Sequence, residues 1–274
     1  MKLRVHSWGG LGSQFFALSL IFDLKRIFPK RDFILIHHTS GISQRLFEIE
    51  ELLDSNTKLK IIDDFKFIES TNTNTKFDLI DEMIRYFKKA VKIILETTKI
   101  YSNIDRTKNL NKIKPWTLIL RGHYSEKKIS EDFIEHYFRK FQNDIKSNTT
   151  DSLVVHYRLG DLINLPGKSI IPPDTLLEKI GIVMNNYDFK RVRIFSDSIE
   201  EARKSLWQIN NFTSNVEFSS CSTMEVMRNS ISAQYFIGTN SKVSMWIIKF
   251  RNHVGFPSQI IEHEYKKFEE NIRY

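Results

Sequence analysis

The chain has 274 residues, of which 41% are hydrophobic, 12% aromatic and 27% charged, which excludes the disordered, fibrous and disulfide-scaffold classes. Its net charge of +8, from 41 Lys and Arg against 33 Asp and Glu, indicates an anionic partner: a phosphorylated ligand, nucleic acid or a membrane surface. The one cysteine, Cys221, cannot form an internal disulfide. No apolar run approaches the ~20 residues that span a bilayer, so we expect a cytoplasmic protein.

The N-terminal part begins with a strand, a glycine-bearing loop and a helix. Leu3 to Val5 has strand character, and Phe15 to Phe28 carries apolar residues at helical spacing. Phe33 to His37 predicts a second strand. This β-loop-α-β order favours a parallel α/β sheet, which binds ligands at the carboxyl ends of its strands.

A basic amphipathic segment follows. The spacing of apolar residues from Ile80 to Leu95 predicts a helix with a charged opposite face. Between Arg85 and Lys114 there are nine basic and two acidic residues, so this stretch carries most of the net charge. One explanation is a solvated helix face. The other is that Arg85 to Lys114 contacts anionic lipid, which would place the protein at the inner face of the membrane.

The C-terminal part repeats the alternation of strand and helix. The polar stretch 147–152 predicts a linker between an N-terminal domain, residues 1–148, and a C-terminal domain, residues 149–274. Two successive α/β halves indicate paired Rossmann-like domains with a cleft between them. The predicted elements of the second half are strands at Leu153–Tyr157, Arg191–Ser196 and Gln234–Gly238, and helices at Pro173–Asn185, Thr223–Ser230 and Ser258–Asn271.

The first candidate site is the loop from Gly9 to Gln14 between strand and helix. Glycine lets the backbone approach a phosphate, and a helix N-terminus offers free N–H donors. A G-x-G-x-x-G match that starts at Gly10 places Phe15 at the last glycine, which disfavours a dehydrogenase-type dinucleotide fold. The alternative is a turn that simply requires glycine.

Three other candidates follow predicted strands. His156 and Arg158 are two residues apart and share a face, and an arginine there can hold a diphosphate with its forked donors. The alternative is a buried histidine and a surface arginine. Asp197 could bind ligand or cap a helix, and the turn from Gly238 to Trp246 could donate to phosphates or only start a capped helix.

No metal-ligand pattern is present in the sequence. The adjacent His37 and His38 have no Cys, Asp or Glu at ligand spacing, and we assign them a structural or surface role.

Together these segments resemble the family 11 glycosyltransferases, the α-1,2-fucosyltransferases, within the wider group of GDP-fucose-dependent enzymes. GGLGSQ at Gly9 to Gln14 is similar to the family's GGLGNQ loop, and His156 to Asp161 matches its H-x-R-x-G-D motif. Weaker matches are Phe195 to Ser198 with FSDD, Asn240 to Trp246 with NSTFSWW, and Gly122 to Lys127 with G-Y-x-Q-S-E-K. The chain departs from these motifs at Ser13, Leu159, Ser198, Lys242 and Met245.

The resemblance implies a GT-B-like fold with an acceptor-binding N-terminal half and a donor-binding C-terminal half. It implies an inverting transfer of fucose, without metal or other cofactor, from GDP-fucose to a galactoside hydroxyl. The acceptor would be an oligosaccharide, in some cases lipid-linked, on the way to a bacterial surface polysaccharide such as O-antigen or capsule.

The resemblance also implies roles for individual residues. Arg158 would stabilise the departing diphosphate, Asp161 and Glu126 are candidates for the catalytic base, and His123 and Tyr124 are candidates on the acceptor side. The implied donor-binding residues are Gly10, Gly12, Ser13, Gln14, His156, Arg158, Asp197, Asn240, Ser241 and Ser244.

Two alternatives stay open at this point. The altered motifs fit a transferase that uses a different nucleotide sugar. A basic nucleic-acid-binding protein would explain the charge but not the polar clusters after the strands. We therefore expect no nucleic-acid partner.

Overall fold

The computed structural model describes residues 2–40, 44–64, 79–107, 110–145, 151–163 and 170–261. The chain forms two compact units, residues 1–133 (unit 1) and residues 134–274 (unit 2). Within the described ranges each unit contains one five-stranded sheet whose paired strands are all parallel. The predicted α/β class, with two Rossmann-like halves, is confirmed.

Unit 1 has the strand order β3-β2-β1-β5-β4. The order changes direction between β1 and β5, so the carboxyl ends of these two strands flank a topological switch point. The elements are β1 (Leu3–Trp8), α1 (Leu11–Ile27), β2 (Phe33–His38), β3 (Thr57–Ile62), α2 (Leu79–Thr97), β4 (Tyr101–Asn103), α3 (Ile104–Thr107) and β5 (Ile119–Arg121).

The opening β-loop-α unit follows from local chemistry. Leu3 and Val5 are fully buried on one face of β1, as period-two alternation requires. Gly9 has φ +87°, a conformation that side chains disfavour, and it turns the chain into α1, whose N-cap is Gly10. Most of α1 is buried, which explains why its sequence is apolar on nearly every face.

Unit 2 has the strand order β10-β9-β6-β7-β8, with its switch point between β6 and β9. Leu153 and Val155 on β6, with Ile194 and Ile237 on its two neighbours, form the centre of a buried core. The elements are α4 (Glu131–Ile145), β6 (Ser152–His156), α5 (Pro173–Asn186), β7 (Arg191–Phe195), α6 (Ile199–Ser205), β8 (Val216–Ser219), α7 (Thr223–Ser232), β9 (Tyr235–Thr239), α8 (Lys242–His253) and β10 (Ser258–Ile261).

The predicted terminal helix is wrong where it begins. Residues 258–261 form the strand β10 at the edge of the sheet. Pairing with β9 gives their backbone groups hydrogen-bond partners, and it buries the side chain of Ile261. Residues 262–271 of that prediction lie outside the described residues.

The division into units differs in place from the predicted domain boundary. Most of α4 belongs to unit 2, where Phe141 contacts Phe250 and Phe138 contacts His253. The boundary between residues 148 and 149 stays a prediction about separable domains, and most of the linker lies outside the described residues. In the parts of the chain that the structure describes, no helix has the length and apolar character needed to cross a bilayer.

Candidate functional site

The predicted motifs of unit 2 converge at the switch point of its sheet. His156 at the end of β6 is in register with Phe195 on β7 and with Gly238 on β9. The segments that follow these three strands therefore meet at one edge. Open α/β sheets bind ligands at this position.

Arg158 and Asp197 form the centre of this edge. Nε of Arg158 lies 2.9 Å from Oδ2 of Asp197, and the backbone N–H of Leu159 donates to Oδ1 of the same carboxylate at 2.9 Å. Gly160 packs so closely that an added Cβ would lie 2.2 Å from Asp197 Oδ2. Asp197 thus holds the loop after β6 in place, and it does not cap α6, whose N-cap is Ser198.

Thr239 is a site residue that the sequence did not single out. Its hydroxyl donates to the carbonyl of His156 at 3.0 Å and accepts the backbone N–H of Arg158 at 2.9 Å. One side chain therefore fixes the backbone on both sides of Tyr157. The available signal was a hydroxyl at the end of a buried strand, inside the predicted turn from Gly238 to Trp246.

A hydroxyl chain links His156 to the start of α8. Ser241 caps α8 by accepting the N–H of Ser244 at 3.0 Å, and its hydroxyl donates to the Ser244 hydroxyl at 3.1 Å. Ser244 Oγ is hydrogen-bonded to His156 Nδ1 at 2.9 Å. A side chain at Gly238 would clash with Ser244, since its Cβ would lie 2.6 Å from the Ser244 Cβ.

His156 is held neutral. Its pKa is lowered to about 4, chiefly by burial and also by the positive charge of Arg158, while Asp197 opposes the shift. Because Ser241 donates to the Ser244 oxygen, the Ser244 hydroxyl hydrogen is available to the Nδ1 lone pair of a neutral imidazole. With 6% of its surface exposed, His156 is suited to positioning the surrounding groups.

The predicted site residues of unit 2 also differ in their exposure to solvent. Asn240 is exposed beside the Ser241 cap, so the capped helix start is confirmed, and donation from this turn to phosphates stays a prediction. Arg158 is partly exposed, with 23% of its side chain accessible. The side chain of Asp161, a predicted catalytic residue, lies outside what the structure describes.

The glycine loop of unit 1 is organised around Gln14. This fully buried amide donates to the carbonyls of Gly9 at 3.1 Å and Leu46 at 2.7 Å, and it accepts the N–H of Glu48 at 2.8 Å. The Glu48 carboxylate accepts the N–H of Leu11 at 3.1 Å. That N–H is thus not available to a phosphate, and Gln14 shapes the loop from within.

The glycine loop leaves Gly12 buried and Ser13 half-buried in the first turn of α1. The predicted donor contacts of Gly10, Gly12 and Ser13 stay predictions.

The predicted acceptor-side residues follow β5. Tyr124 is buried, with φ +60°, and donates to the carbonyls of His6 and Leu120. Asp105 accepts the backbone N–H of Tyr124 at 3.0 Å and of His123 at 2.8 Å, which fixes the turn. The side chains of His123 and Glu126 are exposed.

A cluster of aromatic and charged side chains at the carboxyl edge of the unit 1 sheet was not predicted from the sequence. Trp8 and His38 stack with ring centroids 4.5 Å apart, and the guanidinium of Arg121 lies 4.6 Å from the centroid of the Trp8 ring. His6 and Asp64 each hydrogen-bond to His38. The available signal was that His6 and Trp8 share one face of β1.

Several solved structures are similar to this chain. The E. coli heptosyltransferase WaaC with ADP aligns with 96% of this chain and 93% of its own, at TM-score 0.50 and 8% identity. The NodZ alpha-1,6-fucosyltransferase soaked with GDP-fucose aligns with 97% and 96%, at TM-score 0.49 and 12% identity. POFUT1 in complex with GDP, in one crystal form, aligns over 58% of each chain at TM-score 0.35 and 16% identity.

No family model and no curated protein sequence matches the chain. The likeness to WaaC, at 8% identity, identifies a GT-B-like α/β fold shared along nearly the whole chain. A fold of this kind hosts many activities, so function has to be argued from the site.

Proposed function

We propose that the chain is a glycosyltransferase that binds a nucleotide-sugar donor on unit 2. The observation that carries this proposal is the arrangement of Arg158, Asp197 and Ser244 after three neighbouring strands at the switch point. The fold supports it, since the solved structure of WaaC, which shares the fold, is one with the nucleoside diphosphate ADP. Arginine forks and helix N-termini are the protein groups that recognise diphosphates.

The proposed chemistry assigns charge stabilisation to Arg158. As the sugar–phosphate bond breaks, its electron pair passes to the diphosphate, and a guanidinium fixed in place stabilises that charge without reorganising. Asp197 and Thr239 hold Arg158 in position. The N-terminus of α8 adds a partial positive charge at the same edge. We propose that these groups act without a metal ion or other cofactor.

The specific reaction that we propose is inverting α-1,2 transfer of fucose from GDP-fucose to a galactoside hydroxyl. It is supported by the resemblance of the Gly9 to Gln14 loop and the His156 to Asp161 box to the family 11 enzymes. The acceptor would be an oligosaccharide precursor of a bacterial surface polysaccharide. Because the chain departs from the family motifs at Ser13 and Leu159, a different nucleotide sugar is the alternative donor.

A nucleotide panel tests the proposal directly. Thermal unfolding would be followed with GDP, GDP-fucose, UDP-, CMP- and ADP-linked sugars, and NAD. We expect GDP and GDP-fucose to raise the midpoint most, because ligands that bind only the folded state stabilise it. A larger rise in the midpoint with another nucleotide sugar would indicate that this sugar, and not GDP-fucose, is the donor. No shift with any of them, together with retention on heparin, would contradict the transferase.

We further propose that α2 contacts anionic lipid. Phe87, Val91 and Ile94 lie on one stripe of the helix and are 71%, 37% and 61% exposed. Lys88 and Lys89 are also exposed. A helix with an apolar stripe in solvent and lysines on its other side matches an anionic bilayer surface, where lipid-linked acceptors reside.

A further inference from the structure

The central strands of the two sheets differ in how they are buried. On β6, the central strand of unit 2, every residue is buried, as is usual for parallel sheets with both faces covered. On β1, the central strand of unit 1, Arg4 is exposed and His6 and Trp8 are half-buried, and these three alternate with buried residues. One face of β1 therefore presents polar side chains to solvent in the middle of a parallel sheet.

Strand pairing places further polar side chains beside this face of β1. On β5, Ile119 is in register with Arg4, so Arg121 is level with the next residue of β1 on that face. On β2, His38 is in register with Trp8. Residues in register point to the same side of a sheet. The stacking of Trp8 on His38 and the position of the Arg121 guanidinium over the Trp8 ring agree with this placement.

Lysines extend the same face on both sides. Lys58 and Lys60 on the edge strand β3 continue the two rows of paired residues that contain Arg4 and His6, and both lysines are exposed. Lys92 of α2 lies over an aromatic ring of β4, which is on this face. We call the surface of the sheet itself the basic face, and it consists of Arg4, His6, Trp8, His38, Lys58, Lys60 and Arg121.

The basic face has an excess of positive charge. In the part of the chain that the structure describes, its two arginines and two lysines take part in no salt bridge and no side-chain hydrogen bond. The carboxylate of Asp64, at the end of β3, is already hydrogen-bonded to His38 Nδ1 at 2.7 Å and to the backbone N–H of Ser40 at 3.1 Å. The cations repel one another, and a bound anion would turn this repulsion into attraction.

Arg121 is ordered before any ligand is bound. Its guanidinium carbon lies 4.6 Å from the centroid of the Trp8 ring, and Trp8 in turn stacks on His38 at 4.5 Å and an interplanar angle of 6°. A guanidinium held against an aromatic face keeps its N–H donors in its own plane, where they match an oxyanion. Ordering before binding reduces the loss of side-chain entropy on binding.

Uncharged hydrogen-bonding groups lie beside the arginines. Among the described residues, neither the indole N–H of Trp8 nor Nε2 of His6 has a hydrogen-bond partner. An ionised Asp64 accepts from His38 Nδ1, so His38 Nε2, 2.8 Å from His6 Nδ1, accepts in turn and leaves a lone pair on His6 Nε2.

The pKa of His6 is lowered to about 4, chiefly by burial and also by Arg121, His38 and Arg4, so the ring is neutral at pH 7. The basic face thus offers cations for an oxyanion, and a donor and an acceptor for hydroxyl groups. A sugar that carries an acidic group has both kinds of partner.

We propose that the basic face binds an acidic saccharide, with Arg121 and Arg4 at its carboxylate or phosphate and Trp8 and His6 at its hydroxyl groups. The choice of a saccharide as the carrier of the charge rests on the proposed function, whereas the need for an oxyanion follows from the charges themselves. A bilayer is the less suitable occupant, because it is bound by protruding apolar side chains and the rings of this face are buried or half-buried.

Ligand pairs that differ mainly in charge test the inference. Ligand-observed NMR titrations of the full chain would compare phenyl β-D-glucuronide with phenyl β-D-glucoside, and glucose 6-phosphate with glucose. We expect the charged member of at least one pair to bind ~10-fold or more tightly, the gain from charge-assisted hydrogen bonds. The pair that shows this preference identifies the oxyanion as a carboxylate or a phosphate.

Variants locate the binding on the basic face. Arg121→Gln keeps amide donors but removes the charge, so it should weaken binding of the charged saccharide ~10-fold and leave the neutral one unchanged. Its unfolding midpoint without ligand should be unchanged, since the side chain is exposed. Trp8→Phe removes the indole N–H and should weaken both members of a pair alike. The matched control is Arg26→Gln, at an exposed arginine of α1, which should bind as the wild type does.

Three results would overturn the inference. The first is equal affinity for the charged and neutral members of both pairs. The second is inorganic phosphate binding as tightly as the charged saccharide, since the sugar would then contribute nothing. The third is a preference for charge that survives in Arg121→Gln and is lost in Arg158→Ala, which would assign the anion to unit 2.

The proposed function has a separate readout, the rise in the unfolding midpoint with GDP. If GDP raises the midpoint and neither pair shows a preference for charge, the inference fails and the proposed function stands. If the preference depends on Arg121 but no nucleotide or nucleotide sugar raises the midpoint, the proposed function fails and the basic face remains an anion-binding site.

Discussion

Nε of Arg158 lies 2.9 Å from Oδ2 of Asp197, and Oδ1 of this carboxylate accepts the N–H of Leu159 at 2.9 Å. One carboxylate thus orders both the guanidinium and the backbone that carries it. An arginine ordered before the ligand arrives loses little side-chain entropy on binding, and it is more effective in the transition state.

We expect Arg158→Ala to lower turnover by ~10³-fold or more, because it removes the positive charge assigned to the leaving diphosphate. The unfolding midpoint should change little, since the side chain is partly exposed. Steady-state kinetics and thermal unfolding measure the two effects. Arg203→Ala, on the surface of α6, is the control and should retain turnover. Near-normal turnover in Arg158→Ala would contradict the mechanism.

Gly160→Ala should damage the site through a steric clash. The new Cβ would lie 2.2 Å from Asp197 Oδ2 and must displace that carboxylate, so both GDP binding and stability should fall, the latter by ~1–3 kcal/mol. Urea unfolding and calorimetric GDP titration measure them.

The control for this substitution is Gly255→Ala. Gly255 also has a positive φ, +73°, but has no atom within 4 Å of an added Cβ. It should cost only the strain of the left-handed conformation, ~1–2 kcal/mol, and leave GDP binding intact. Equal GDP affinity in both variants would show that the contact with Asp197 is unimportant.

Acid should destabilise the protein partly through His156. Its pKa is about 4 in the fold, against ~6.5 in the unfolded chain. Between these values the unfolded state binds more protons, so stability falls as pH drops from 7 toward 4. His156→Asn should reduce this loss by at most ~3 kcal/mol.

Urea titrations at pH 7 and pH 4.5 measure the slope of this dependence. The matched control is His253→Asn, at an exposed histidine, and the change in slope of His156→Asn is judged against it. The slope will not vanish in His156→Asn, because burial also lowers the pKa values of His6 and His37. An unchanged slope in His156→Asn would mean that His156 titrates normally in the fold.

The exposed stripe of α2 should bind vesicles. We expect salt-sensitive co-sedimentation with phosphatidylglycerol vesicles and weak binding to phosphatidylcholine vesicles. The double substitution Phe87→Ser and Ile94→Ser should lower binding at least tenfold, since each buried side chain contributes ~1.5–3 kcal/mol. Ile182→Ser, at an exposed apolar residue of α5, is the control. If the wild-type protein does not bind these vesicles, the basic residues of this segment only form a solvated helix face.

Arg251 should be required for folding. It is fully buried and donates to the carbonyls of Ser230, Ala233 and Pro257, among others, which joins the end of α7 to the segment before β10. Arg251→Ala should cost ~3–5 kcal/mol or prevent folding, because it leaves buried carbonyls without donors. Circular dichroism and urea unfolding report it. A stable variant would show that water replaces the guanidinium.

The sequence by itself determined the α/β class and most of the elements around the site. Alternation on β1 and β7, the helical spacing of α1 and the proline-containing start of α5 are local properties of the chain. It also named His156, Arg158 and Asp197 as candidates, since they stand at or just after the ends of apolar strands, and it named Ser244 through the resemblance to the family 11 motif.

Tertiary structure alone decided which of these residues touch. Ser244 Oγ reaches His156 across 88 positions, and Thr239 bridges strands in a way that no local pattern encodes. The cluster of His6, His38 and Asp64 could not be predicted for the same reason, because these residues become neighbours only when three parallel strands pair in register. The strand β10 was mistaken for a helix because its conformation depends on the open edge of β9.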